Sequence, residues 1–315
     1  MVEQPAAPAP TGRRSGKAPL RLATRGSELA RRQAELVAEL LRPLLDGGRA
    51  ELVVVETTGD RRLDLPLSAF GATGVFVAEV ERAVLDGRAD VAVHSAKDLP
   101  SGAPPEGLVL ASVPIRDDPR DALVGRRLDR LAEGALVASG SPRRRAQLAA
   151  VRPDLRFVEL RGNIATRLAR IPDGGAIVVA VAALRRLGLG DRVAELLPIS
   201  TMLPQVGQGA IALRCREDDA ALRSLLARID DLAAHRCVAA ERAFLARLGG
   251  GCDAPVAAHA RLAGRAAAGA QLVLDGMAAG GDGVTLLRAE ATGDEPEELG
   301  ERLAERLLRD AGEAG

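Results

Sequence analysis

The sequence predicts an α/β protein of two sheet-and-helix units followed by a small α+β unit, and three observations carry that expectation. Short β-rich runs alternate with stretches of helical apolar periodicity from Leu20 to Val113, the order that builds a mainly parallel sheet with crossover helices. The same alternation starts again at Leu136 and continues to Val181. From Leu232 the order changes to one helix, three strand-like runs and a closing helix.

Residues 20–23 read as the first strand, and Ser27 as the N-cap of a helix that sets Leu29, Leu36, Val37, Leu40 and Leu44 on one face. Residues 51–57 follow as a strand. A helix over 74–85 turns Val77, Val80 and Val84 inward and stops at Gly87. Residues 90–95 and 108–113 complete the first set of strands. In the second unit, strand 136–138 leads to Ser141-Pro142, an N-cap and N1 pair that opens a helix through Val151. Strand 157–160, a helix from Asn163 to Ile171 and the wholly apolar strand 177–181 come next. Residues 207–214 look like a strand that returns to the first unit. Helix 232–248 ends in a glycine-rich turn, and the closing helix starts at Glu297.

Charge exerts no overall pull toward nucleic acid or membrane, since 43 basic residues balance 43 acidic ones. The basic set is lopsided, however. Lysine occurs only at Lys17 and Lys97, which leaves 41 arginines, whose planar fork suits carboxylates. Three cysteines (Cys215, Cys237 and Cys252) form no C-x-x-C pair, and their odd number argues against a disulfide framework. With His94, His235 and His259 scattered, no metal site is expected. Residues 1–19 are rich in Pro, Ala and Gly and hold no apolar stretch of signal-peptide length, so they read as a disordered tail and the compartment as cytoplasmic. The longest apolar run, 176–184, is far too short to span a bilayer. Without Tyr or Trp the chain also lacks the usual stacking surfaces of a nucleic-acid binder.

Three segments carry chemistry. Arg25, the Arg143-Arg144-Arg145 run, Arg161, Arg167 and Arg186 all fall just past predicted strand ends or in the first turns of helices. In open α/β sheets the ligand crevice lies beyond the carboxyl ends of the strands, where helix N-termini add unpaired N–H donors. Guanidiniums from two such units suit a ligand with several carboxylates. A single arginine in so arginine-rich a chain reads equally well as solvated surface charge, but the whole set at one edge does not. The second segment, Val93-His94-Ser95-Ala96-Lys97-Asp98-Leu99-Pro100, ends a hydrophobic strand in a polar turn closed by proline. Asp98 there suits an acid, a base or a partner to a cation, although turn statistics alone would make it a turn former. Lys97 is its neighbour, but adjacent side chains on an extended chain point apart. The third is Gly249-Gly250-Gly251-Cys252-Asp253, whose glycines place a thiol on an exposed turn, whereas Cys215 lies in an apolar strand and Cys237 in a helix.

Together with Leu22-Ala23-Thr24-Arg25-Gly26-Ser27, Asp117-Asp118-Pro119-Arg120-Asp121, Ser141-Pro142-Arg143-Arg144, Leu160-Arg161-Gly162-Asn163 with Thr166-Arg167, Pro204-Gln205-Val206-Gly207-Gln208-Gly209-Ala210 and Ala240-Glu241-Arg242, these segments resemble the porphobilinogen deaminase family, in family order over residues 20–260. The resemblance implies three domains, two of them like the lobes of periplasmic binding proteins and the third a small α+β C-terminal domain. On this sequence they fall at 19–114 with 207–228, at 115–206 and at 229–315, after a tail of 1–18.

It also implies a dipyrromethane cofactor, one per chain, in thioether linkage to Cys252, contacted by Arg143, Arg144, Ser141, Lys97 and Asp98. Arg25, Ser95, Arg161, Arg167, Arg186, Gln208 and Phe76 would then meet the substrate and the growing polypyrrole. Porphobilinogen carries two carboxylates per ring, which accounts for the arginines. In the implied reaction the substrate loses ammonia to give an azafulvene, the free α-carbon of the bound chain attacks it and the excess proton leaves. After four additions water releases a linear tetrapyrrole. Asp98, against pyrrole N–H groups, would stabilise the developing positive charge and pass protons. The chain departs from the family in segment 68–76, which lacks the lysines many relatives carry; Phe76 there suits either a pyrrole contact or the core. A monomer acting on a small molecule is expected. The rival reading, a non-enzymatic two-lobed binder of a small anion, would share the crevice and the arginines but has no use for the Gly-Gly-Cys turn or Asp98.

Overall fold

The computed structural model describes residues 18–57, 77–249, 255–264, 270–279 and 285–313. Strand β1 (Leu20–Arg25) leads into helix α1 (Glu28–Leu41), where the Ser27 hydroxyl accepts the Ala30 amide at 3.3 Å. Strand β2 (Ala50–Val55), helix α2 (Ala78–Leu85), strand β3 (Val91–Ser95) and strand β4 (Leu108–Arg116) follow. The period of two along the strands decides which helix covers which face. Leu20, Leu22, Val91 and Val93 pack on Ala34, Val37 and Leu41 of α1. Ala23, Ala92 and Val55 turn the other way, onto Val80, Ala83 and Val84 of α2.

The chain then crosses to a second sheet. Its elements are β5 (Asp121–Gly125), β6 (Leu136–Ala138), α3 (Pro142–Val151), β7 (Arg156–Val158), α4 (Ile164–Leu168), β8 (Ala176–Ala180), α5 (Val181–Arg186) and β9 (Glu195–Leu196). It returns as β10 (Ala210–Arg216), which inserts between β3 and β4 antiparallel to both. The strand orders are β2-β1-β3-β10-β4 and β7-β6-β8-β5-β9. Each sheet therefore joins three parallel strands to an antiparallel fourth and a fifth strand on the far edge, nine residues long in the first sheet (β4) and two in the second (β9). The outgoing and returning segments lie side by side, with the Asp117 amide donating to the Gly209 carbonyl at 3.0 Å.

After α6 (Ala220–Ala227), the long α7 (Leu232–Leu248) opens the last unit. Strands β11 (Ala257–Leu262), β12 (Leu272–Ala279) and β13 (Leu286–Gly293) form an antiparallel meander, and α8 (Pro296–Glu313) closes it. One face of the meander packs on both helices through Ala258, Leu272, Leu274, Phe244, Leu299 and Leu303. No helix among the described residues is long and apolar enough to cross a membrane, and no cluster of metal-ligating side chains occurs among them.

The α/β class with its third, α+β unit agrees with expectation, and the differences in detail have local causes. The strand expected over 207–214 begins at Ala210, because Gly207 and Gly209 take φ of 71° and 86° and form a turn instead. The helix expected to reach Ile171 stops at Leu168, since a residue before proline, here Ile171 before Pro172, is disfavoured in helix. Val181 opens α5 rather than closing β8. Strand β5 was not expected, because it starts on an aspartate that the sequence presents as part of a polar turn.

The α7–α8 contact depends on a bare backbone at Gly300. A methyl there would overlap the Ala240 carbonyl oxygen and lie 2.7 Å from the Phe244 nitrogen. Helix propensity favours alanine by about 1 kcal/mol, but overpacking of this kind costs about 1–3 kcal/mol. Gly300→Ala is therefore expected to lower the urea midpoint of unfolding; a raised midpoint would show that the two helices separate freely.

Candidate active site

Strands β1 and β3 run parallel and end at the same edge of the first sheet, beside the N-terminus of α1. That edge holds a pocket lined by Arg25, Ser27, Gln33, His94, Ser95 and Asp98, with Val77 and Val93 as its apolar wall. Gln33 and Ser95 bond side chain to side chain, at 2.8 Å from the amide nitrogen and 3.0 Å to the amide oxygen. Past Ser95 a short 3-10 turn, Ala96–Asp98, carries Lys97 and Asp98, both half-buried. The His94 imidazole is buried beneath this edge, and its pKa is driven down to about 3 by burial and by Arg214 and Arg25, so it is neutral. It lies over a buried ion pair of Glu81 with Arg214.

The second sheet contributes a buried triad. Asp121, at the start of β5, has no solvent exposure and receives Nη2 of Arg143 and Nη2 of Arg144, each at 2.7 Å. Pro142 opens α3, so these arginines stand in its first turn, where backbone carbonyls complete their bonding. Arg143 donates to Leu203 O at 2.5 Å and Arg144 to Val178 O at 3.0 Å. Gln208 adds a third bond to Asp121, at 2.9 Å. Burial opposes ionisation of Asp121, but the two guanidiniums outweigh it and hold the carboxyl well below the usual range. The triad keeps one net positive charge. Among the described residues, Nε of Arg143, Nε of Arg144 and Oε1 of Gln208 are buried with no partner.

The two sheets meet at these groups. The Lys97 ammonium is pushed down to about 8, first by burial and then by the cations Arg144 and Arg167, with Asp98 and Asp121 opposing. Arg167 is itself pushed down to about 10 by burial and by Arg144, again against Asp98. Lys97 and Asp98 from one sheet thus share a field with Arg144, Arg167 and Asp121 from the other. Two glycines permit the approach. At Gly162, with φ of 109°, a Cβ would lie 2.8 Å from the Thr166 side chain in the turn that leads to Arg167. At Gly207 a Cβ would lie 3.0 Å from the Lys97 nitrogen, where the returning segment passes over the Ala96–Lys97 peptide.

The structure brings Lys97, Asp98, Arg144 and Arg167 together, with Arg143 and Gln208 attached through Asp121 and with Arg25 and Ser95 in the adjoining pocket. Ser141 caps α3 without a side-chain bond to it and is half-buried. Arg186 donates to Gly209 O at 2.5 Å, and burial lowers its pKa against the pull of Asp117. Arg161 points elsewhere, into a surface pair with Glu159 at 3.2 Å, and Arg145 takes the other oxygen of the same carboxylate. Cys252 and Phe76 lie outside the described residues, as does segment 68–76. Sequence reasoning gave no role to Gln33 or Asp121. Gln33 had a signal, being a polar residue on the inward face of α1, whereas Asp121 had none beyond its place in the Asp117-Asp118-Pro119-Arg120-Asp121 run.

Comparison with known proteins places the chain among relatives of one family. Residues 20–224 match the family described as "Porphobilinogen deaminase, dipyromethane cofactor binding domain", and residues 235–309 match "Porphobilinogen deaminase, C-terminal domain". A porphobilinogen deaminase from Acidothermus cellulolyticus is 48% identical over 92% of this chain and 88% of its own length. Those of Syntrophotalea carbinolica (46%, over 92% of each chain) and Syntrophus aciditrophicus (43%, over 93% of this chain and 96% of its own) are similar throughout. Among solved structures, a TRAP periplasmic solute binding protein from Ralstonia eutropha H16 overlaps 74% of this chain and 82% of its own at 13% identity, with a TM-score of 0.39, a loose likeness.

Two outcomes follow from the electrostatics. Asp121→Asn leaves two buried guanidiniums without their counter-charge and is expected to cost about 3–5 kcal/mol in urea unfolding; a loss under 1 kcal/mol would mean that water or another carboxylate reaches the triad. The Lys97 amine loses its proton as pH rises through about 8. Its acylation, followed by peptide mapping, is expected to rise with a midpoint there. A bound polycarboxylate favours the charged form and should move that midpoint upward.

Proposed function

The chain belongs to the porphobilinogen deaminase family, and from that premise we propose how its own residues divide the work of the reaction. It is an enzyme that acts on porphobilinogen and uses a dipyrromethane cofactor. In finer terms we read it as a cytoplasmic, monomeric transferase that condenses four porphobilinogens into a linear hydroxymethylbilane, built as three domains at 19–114 with 207–228, at 115–206 and at 229–315. The reading as a non-enzymatic anion binder has no support.

The observation that carries the assignment of residues is the surplus of buried positive charge around Asp98. The cofactor is a polycarboxylate, and the buried Nε donors of Arg143 and Arg144 suit it. In this reading Arg143, Arg144, Lys97 and Ser141 hold it from the side of the second sheet and the Asp98 turn, and Cys252 tethers it. When bound, the dipyrromethane supplies the nucleophilic carbon on which the product grows. Arg25 and Ser95 orient the incoming porphobilinogen in the pocket at the end of β1 and β3, and Gln33 fixes the Ser95 hydroxyl. Arg167, Arg186 and Gln208 meet the carboxylates of the lengthening chain, with Arg161 and Phe76 at its outer reach.

Asp98 takes the catalytic role. Its carboxylate lines the same pocket as Arg25 and Ser95, within reach of the pyrrole N–H of a substrate held there. Loss of ammonia leaves the ring cationic, and a fixed negative charge beside it lowers that barrier more than it stabilises the neutral ground state. Between steps the same carboxylate accepts the proton released on coupling. Lys97 and Arg167 surround Asp98 with positive charge.

The test is the intact mass of the purified protein and the mapping of its adducts. A mass excess of two porphobilinogens less two ammonias on Cys252 is expected, in the wild type and in Asp98→Asn alike. The variant is expected to keep substrate affinity while its turnover falls about a hundredfold or more. A Cys252 that stays unmodified after incubation with porphobilinogen would overturn the tether, and near-normal turnover of Asp98→Asn would overturn the catalytic role.

A further inference from the structure

Strand β13 reaches out of its own sheet to grip the helix that carries the buried cations. Leu287, Ala289 and Ala291 of β13 face α7 and α8, so Arg288 stands on the opposite side of the meander. There Ala257, Met277 and Leu286 pack against Ile199 and Leu203 of the segment returning to the first sheet. The Arg288 guanidinium donates to Gln147 Oε1 at 2.7 Å, to Thr201 O at 3.3 Å and to Ser200 O. Among the described residues it makes no ion pair within 4 Å, and its hydrogen bonds all go to neutral oxygens, with Asp275 acting on it only from farther away. That arrangement has geometric rather than charge-pairing value.

Gln147 is the far end of this grip. It is buried on α3, four residues after Arg143 and three after Arg144, and so lies on the same side of the helix. Its amide accepts Leu203 N at 2.8 Å and donates to Leu203 O at 3.0 Å, the carbonyl that Arg143 also reaches. A continuous set of bonds therefore runs from Arg288 through Gln147 and Leu203 to Arg143 and Asp121. We propose that Arg288 is a positioning residue for the condensation, fixing α3, and with it Arg143 and Arg144, against the three-stranded sheet. The proposal rests on the assignment of Arg143 and Arg144 to the cofactor's carboxylates.

The experiment compares the holoenzyme with Arg288→Met, Gln147→Met and the double variant. It reads kcat/KM and the pH midpoint of Lys97 acylation, on which Arg144 acts together with burial, Asp98, Asp121 and Arg167. Arg288→Met alters a partly exposed side chain and keeps its apolar stem; Gln147→Met breaks the same bond without changing any charge. Each single variant is expected to lose about tenfold in kcat/KM, the scale of a small misplacement of binding groups. The Lys97 midpoint should rise in both, and the double variant should lose less than the product of the two single losses, because the Arg288–Gln147 bond is common to both. If Gln147→Met does not fold, Arg288→Lys replaces it, with the charge kept, the fork lost and an intermediate effect expected. Wild-type kinetics with an unmoved Lys97 midpoint in Arg288→Met would overturn the proposal, whatever the change in thermal stability. A shifted midpoint with wild-type kinetics would also overturn it as a role in the reaction. In that case Arg144→Gln, checked for retained cofactor mass and normal turnover, tells whether the fault lies in the assignment of the arginines.

Discussion

Asp121 receives two guanidiniums and one amide in a place without water, and the rest of the site is arranged around that fact. Buried ion pairs return little net stability, because desolvation of the charges offsets their attraction. What this triad does is fix position. It draws the first turn of α3 onto the first residue of β5 and attaches the returning segment through Gln208. One carboxylate for two guanidiniums also leaves a positive charge over, a few residues from the crossings between the sheets. Lys97 and Arg167 are both pushed down in pKa there, first by burial and then by Arg144.

The third unit holds the opposite wall. Glu241 on α7 is fully buried and accepts the Gly207 amide at 2.7 Å, the Ala260 amide at 2.8 Å and Arg116 at 2.8 Å. Burial works against its charge, but Arg116 and His259 prevail and keep it ionised. Its neighbour Arg242 donates to Pro100 O at 2.8 Å and Gly102 O at 3.1 Å. Consecutive residues of one helix thus hold both sides of the turn that bears Asp98: Gly207, which overlies the Ala96–Lys97 peptide, and the Pro100 exit. Gln205 adds a bond to Lys97 O at 3.1 Å. The turn is short, but it is supported from three directions.

Much of the scaffold was legible along the chain. Short apolar runs identified β1, β3 and the wholly apolar β8, and Ser27 and Ser141-Pro142 marked where α1 and α3 begin. Even the polar run after β3 could be singled out, because a strand that ends in Ser-Ala-Lys-Asp has no apolar face left to bury. Strand β5 was hidden for the same reason in reverse: its first residue is a buried carboxylate, and a polar residue signals exposure unless its partners are known. Arg161 and Arg167 look alike in sequence, yet one pairs with Glu159 at the surface while the other turns toward Asp98.

The sequence by itself determined the α/β class, the third unit, the polar segments at strand ends and, through ordered motifs, the family. Those properties depend on periodicity and on residues close together along the chain. Only the tertiary structure decided which charges meet. Asp121 lies 22 residues from Arg143 and 87 from Gln208, and Arg288 lies 141 from Gln147. Electrostatic and hydrogen-bond energies fall off over a few ångströms of space, and sequence separation carries no such measure.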